Sequence, residues 1–236
     1  MSNRPGKSYQ IEKMMIQGAR MRVVFFALYL TLVLILGDKQ IVLAADSSAQ
    51  ALYGKNLIVN GDAEAAPGTV GGSEIAKEIP GWTRTGNMDV VQYAHGDLRP
   101  NSPDPKVLGV NYFVGGPDSP RSTLTQAIDL SSIASELDKG AVSYTLSGYL
   151  GGFTDQEDNS MLSIQFEGAD GKQLGSATIG PVTVADREKM TKILLRTATG
   201  KIPSGTRKAE VQLTITRVSG AYNDGYADNL TLILQH

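Results

Sequence analysis

Val142-Ser143-Tyr144-Thr145-Leu146-Ser147-Gly148-Tyr149-Leu150 is the stretch that decides the class of fold. Its alternation puts Val, Tyr, Leu, Gly and Leu on one face and Ser, Thr, Ser and Tyr on the other. Successive side chains of a strand point to opposite faces, so this is a strand with one face on a core. Leu162-Ser-Ile164-Gln-Phe166 and Val211-Gln-Leu213-Thr-Ile215-Thr repeat the pattern. Leu230-Thr-Leu232-Ile-Leu234 is apolar on both faces, as an interior strand would be. Ala169-Asp170-Gly171-Lys172 reads as a hairpin turn between two runs. Short strands at this spacing, in a chain with 26 glycines and 10 prolines, predict an all-β, two-sheet antiparallel sandwich.

One or two short helices are expected beside the strands. Asp129 to Gly140 has a polar start, Ile133 and Leu137 four apart, and a terminating glycine. Thr183-Val-Ala-Asp186 opens the second with a capping-box pattern, though Asp stands where Glu or Gln is usual.

Upstream, Arg4, Lys7, Lys13, Arg20 and Arg22 precede the apolar run Val23–Leu36. Its 14 residues fall short of the roughly 20 that span a bilayer, and Val42-Leu43-Ala44 supplies small residues for cleavage after Ala44. Residues 1–44 are therefore expected to be a signal peptide, or an anchor if uncleaved, the only route to a membrane, and the product exported or periplasmic. Residues 45–55 form a polar lead-in, and 56–236 one domain with no internal repeat.

Charge and composition exclude several functions. Residues 1–44 hold six basic and two acidic residues, so the net charge of −2 becomes about −6 once they are removed. With no longer basic cluster than Arg207-Lys208, nucleic acid is a poor partner. The chain has no cysteine and two histidines, which excludes disulfides, thiol nucleophiles, Cys-ligated zinc and multi-histidine metal centres.

Two end motifs carry more information. Asn56-Leu-Ile-Val-Asn60-Gly61-Asp62-Ala63-Glu64, followed by Gly81-Trp82, stands at one end, and Asn223-Asp224-Gly225-Tyr226-Ala227-Asp228-Asn229-Leu230-Thr-Leu232 at the other. Together they resemble the galactose-binding-like jelly roll of carbohydrate-binding modules, and most of all exported bacterial domains of unassigned function. The resemblance implies first and last strands lying close together, tied by a structural calcium. Its ligands would be Glu64, the carbonyl of Asp62, and Asp228, since calcium takes six to eight oxygens and needs neither His nor Cys. Ala63 departs from the Phe usual in the family, which alters local packing. The alternative for Glu64 and Asp228 is plain turn capping.

A second acidic cluster, Asp155-Gln-Glu157-Asp158-Asn159, lacks the glycine and distal Glu of an EF-hand and reads as a solvated loop. No G-x-S-x-G, P-loop, G-x-G-x-x-G or H-E-x-x-H is present, and His95 is the only internal histidine. A non-catalytic module binding carbohydrate or another extracellular polymer is the expected function. The alternatives are a surface protein-interaction domain and a carboxylate-based glycoside hydrolase. Sugar sites use aromatic rings against sugar faces and paired polar groups for hydroxyls. The loop-proximal aromatics are Trp82, Tyr93, Tyr112, Phe113, Tyr149, Phe153, Tyr222 and Tyr226, with Trp82 read as core. Tyr149 is the first candidate contact, because it lies on the polar face of its strand and Gly148, Gly151 and Gly152 would leave its ring uncovered. Tyr222 and Asn223, with Arg217, are the next.

Overall fold

A computed structural model of the chain describes residues 52–98 and 108–236. The expected signal peptide, and the lead-in up to residue 51, lie outside the described residues. Among the described residues, ten strands make two five-stranded antiparallel sheets. The first runs β1 (Thr83–Thr85), β4 (Arg121–Asp129), β9 (Thr206–Thr216), β6 (Asn159–Gly168), β7 (Gln173–Ile179). The second runs β2 (Asp89–Gln92), β3 (Asn111–Pro117), β10 (Tyr222–Gln235), β5 (Ser143–Gly152), β8 (Lys192–Lys201). The two alternating faces of β5 are sorted as the sequence predicts: Tyr144, Leu146, Gly148 and Leu150 are buried, the residues between them half-buried. Leu162, Ile164, Phe166, Val211, Leu213 and Ile215 meet them from the first sheet, all fully buried. Each such aliphatic side chain contributes about 1.5–3 kcal/mol of burial.

The turn 169–172 closes the β6–β7 hairpin, with Gly168 N–H donating to the Lys172 carbonyl at 2.9 Å. The first expected helix is present but short: a 3₁₀ turn, Ser131–Ile133, leads into α1 (Ala134–Asp138), and Ile133 and Leu137 are buried as their spacing implies. Asp129 belongs instead to β4, and its Oδ1 accepts the Ser131 N–H. The second expected helix does not form. Its capping box does, with Asp186 Oδ2 accepting the Thr183 hydroxyl and Thr183 Oγ1 accepting the Asp186 N–H. Glu188 and Lys189 then turn to φ 56° and 58°, outside the right-handed helical region.

The strand that organises the domain is β10. Its residues 225–228 pair with 152–149 of β5, yet 231–235 pair with 147–143, so β10 carries one residue more across that interval. This is a β-bulge, and Asn229 within it adopts φ 49°, which Asn tolerates better than most residues. The extra residue inverts the phase of the strand. Tyr226 and Asp228 lie opposite Gly151 and Tyr149 on the outer face, whereas Leu232 and Leu234 lie opposite Leu146 and Tyr144 in the core.

The bulge is held by the N-terminal motif. β3 pairs only with the first half of β10, which leaves the second half open on that side. Asn56 and its neighbours fill the gap: Asn56 Nδ2 donates to the Leu230 carbonyl at 3.0 Å, and Leu232 N–H donates to Asn56 Oδ1 at 2.9 Å. Leu57 N–H reaches the Leu232 carbonyl, and Leu230 N–H the Gly61 carbonyl, each at 2.8 Å. Asn60, at φ 52°, then accepts the Trp82 indole N–H on its carbonyl at 3.0 Å. That sets the half-buried Trp82 edge-on to Phe113.

Asn56→Ala removes three side-chain hydrogen bonds and is expected to cost about 2 kcal/mol. Gly61→Ala drives a methyl into the Leu230 carbonyl and should cost about 1–3 kcal/mol. Urea midpoints at unchanged m-value measure both. A loss below about 0.5 kcal/mol for Asn56→Ala would mean that the motif does not hold the bulge.

Candidate ligand-binding cleft

Because of the bulge, the first half of β10 offers its even-numbered side chains to the outer face of the second sheet. There Tyr226 joins Tyr112 and Val114 from β3, Val91 from β2 and Ile193 from β8 in a buried cluster. The segment 93–98 folds over it, adding Tyr93 and Leu98, with Leu108 from beyond. Three rings run in series: Tyr93 to Tyr112 at 4.8 Å, and Tyr112 to Tyr226 edge-on at 5.4 Å. Tyr93 is pinned by its hydroxyl, which donates to Asp228 Oδ2 at 2.7 Å.

Beside this cluster lies a cavity of about 370 Å³, within the range of small-ligand sites. Tyr112, Val114, Tyr222 and Tyr226 form its aromatic and aliphatic wall, Asp224 and Asp97 supply carboxylates, and His95 and Val70 stand at its rim. Burial raises the tyrosine hydroxyls above their ordinary range, so they stay protonated and able to donate. Asp224 is pushed up to about 6, first by burial and then by the negative charges of Asp158 and Asp97. Among the described residues, its side chain receives one hydrogen bond, a long one from the Tyr226 hydroxyl at 3.4 Å.

Asp158 corrects the reading of residues 155–159 as a solvated loop. Asp155 and Glu157 are exposed, but Asp158 is fully buried. Its Oδ1 accepts the N–H groups of Val218 and Ser219, and its Oδ2 that of Asp224 at 2.9 Å. It therefore ties the loop before β10 to the loop before β6.

The residues expected to contact ligand are dispersed. Tyr222 lines the cavity. Tyr149 does lie on the outer face of β5, between Asp228 and Leu195, but its ring is half-buried against the tyrosine cluster and is not left uncovered. The neighbouring glycines are required by packing: a β-carbon would strike the Leu230 side chain from 148, the Lys192 carbonyl from 151 and the Asp158 carbonyl from 152. Asn223 is fully buried, its Nδ2 donating to the Ser119 and Ile215 carbonyls at 3.2 and 3.1 Å. Arg217 closes its own loop by donating to the Ala221 carbonyl at 2.6 Å. Asp97 and Asp224 are not singled out by the sequence, His95 only as the one internal histidine, and Tyr112 and Tyr226 only as aromatics near loops. The alternation Tyr222, Asp224, Tyr226 at the head of β10 was the available signal.

The residues expected to ligate calcium do lie near one another, since Glu64 and Asp62 both act on the charge of Asp228. The carboxylate oxygens of Glu64 and Asp228 are engaged by protein donors. Glu64 Oε1 accepts the N–H groups of Val110 and Asn111 at 2.7 and 2.8 Å, and Oε2 accepts Asn111 Nδ2. Asp228 accepts from Tyr93 and from the Asn229 N–H. Among the described residues no three His, Asp or Glu side chains are grouped to hold a metal ion.

Burial pushes the Asp228 carboxyl up to about 8, against the lowering effect of its two donors. Unfolded, it would titrate near 3.9, so the folded state binds the extra proton and stability declines as pH rises between those values. This contribution is fully present below about pH 4 and gone once the pH passes about 8. Asp228→Asn is expected to flatten the stability profile between about pH 5 and 8 relative to the parent. Parallel profiles by urea denaturation would contradict the assignment.

No protein-family model and no curated protein sequence matches this chain. Among solved structures it is similar to a tailspike protein 4 domain of bacteriophage CBA120, at 17% identity and a TM-score of 0.42, covering 76% of this chain but 21% of that one, about a fifth of its length. It is similar to TmCBM61, solved with β-1,4-galactotriose, at 13% identity and a TM-score of 0.43, covering 77% and 99% of the two chains. It is also similar to the CBM22-1 xylan-binding domain of Paenibacillus barcinonensis Xyn10C, at 14% identity and a TM-score of 0.38, covering 69% and 89%. Carbohydrate-binding modules are thus among the solved structures to which this chain is similar.

Proposed function

We propose that the chain is an exported, non-catalytic carbohydrate-binding domain whose ligand occupies the cavity on the outer face of the second sheet. The observation that carries this reading is the wall itself. Tyr112, Tyr222 and Tyr226 flank a carboxylate, Asp224, that no strong protein donor satisfies. The part-exposed Tyr222 ring suits the C–H face of a sugar, and a carboxylate accepts paired hydroxyls. Export rests on the Val23–Leu36 run and the small residues that follow it.

One observation favours a second reading. Asp97 and Asp224 face the same cavity, and Asp224 titrates near 6, where a general acid for glycoside hydrolysis would stand.

A glycan array on the domain tests the first reading, with calorimetry on any hit. Tyr222→Ala is expected to weaken binding about tenfold, while Tyr149→Ala acts mainly on stability, costing about 1–3 kcal/mol as a half-buried ring. Binding unchanged by Tyr222→Ala would place the ligand elsewhere. Turnover of a chromogenic glycoside, abolished in Asp224→Asn, would establish the hydrolase instead.

This reading draws on no metal. Stripped protein is expected to melt at the same temperature in excess calcium and in chelator. A rise of about 4 °C or more with calcium would restore Asp62, Glu64 and Asp228 as its ligands.

A further inference from the structure

We propose that this cavity selects sugars bearing a protonated amine, such as glucosamine units with a free amino group, over neutral and acidic sugars. The proposal rests on the reading of the cavity as a sugar site. Among the described residues that line it, the carboxylates are Asp97 and Asp224, and neither Lys nor Arg is present.

Asp224 is 9% exposed, and its side chain receives only the 3.4 Å bond from Tyr226. Behind it, Asp158 is engaged by three backbone N–H groups, which satisfy its lone pairs but bring no positive charge. The buried cation of this region is Arg187, whose hydrogen bonds go to the carbonyls of Gly152, Thr154, Gln156 and Met190 and which is absent from the lining. The wall therefore presents a largely desolvated carboxylate with unused acceptor capacity. Burial and the charges of Asp158 and Asp97 make its ionised form costly.

A sugar hydroxyl would donate to that carboxylate without offsetting its charge. An ammonium does both, offering three donors and one positive charge. A uronate or sulfated sugar would bring a like charge and be rejected. N-acetylation removes the cation while leaving the ring faces unchanged.

The test is calorimetric titration of the full chain at near-neutral pH with four probes: a β-1,4-linked glucosamine hexamer, its fully N-acetylated counterpart, a galacturonate hexamer and Nα-acetyl-lysine amide. The expected result is binding of the free-amine hexamer about tenfold or more tighter than the acetylated one, with galacturonate weaker than both. Asp224→Asn and Asp97→Asn should each pull the ratio of the first two toward one, and the exposed position of Asp97 guards against a variant that merely fails to fold. Equal or tighter binding of the acetylated hexamer overturns the amine preference and leaves the carbohydrate reading standing. Lysine amide binding as tightly as the free-amine hexamer overturns it too, since that is a cation site without sugar recognition. Absence of binding to any glycan removes both.

Discussion

The outer face of the second sheet depends on the surplus residue that its central strand, β10, carries between Asp228 and Thr231. Without the bulge between Asp228 and Thr231, Tyr226 and Asp228 would point into the same core as Leu232 and Leu234. A bulge is locally unfavourable because it interrupts the ladder. It persists here because a second segment takes up the backbone groups around it, through Asn56, Leu57 and Gly61. The N-terminal motif is thus less a strand of its own than the partner that the defect in β10 requires.

From that arrangement the electrostatics follow. The outer face gathers several carboxylates within or just beneath an aromatic layer, and each is treated differently. Glu64 and Asp158 are saturated by backbone N–H groups, as structural acceptors are. Asp228 is clamped by the Tyr93 hydroxyl and fixes the start of the segment that borders the cavity. Asp224 is left short of donors. In a low-dielectric wall that difference separates a group that builds the fold from one with acceptor capacity to spare.

The fold class was legible wherever one face of a strand met the core and the other met solvent, as in β5, β6 and β9. Strands β1 to β4 and β8 are not announced by the sequence. Asn111–Val114 is buried on both sides, because its outer face lies beneath the segment 93–98, so period two is absent from its sequence. The same cover misled the reading of Tyr149: the pattern named its face correctly, but no local pattern shows that distant residues lie over that face. The apolar character of both faces of residues 230–234 did announce an interior strand. What it could not announce was the change of phase at Asn229, which is set by register with β5 and not by hydropathy. Asp158 was misjudged for a related reason. A carboxylate among Gln, Glu and Asn looks solvated until the loop that folds onto it, 217–221, is known.

Arg187 deserves a last comparison. Among the described residues, its fully buried guanidinium donates to four main-chain oxygens and to no carboxylate. Being covalently attached, it is present at unit stoichiometry in any buffer, cannot be chelated away, and keeps its charge across the physiological range. The carbonyls of residues 152, 154 and 156 are therefore held by a cation that the chain itself supplies, beneath Asp158 and Asp224.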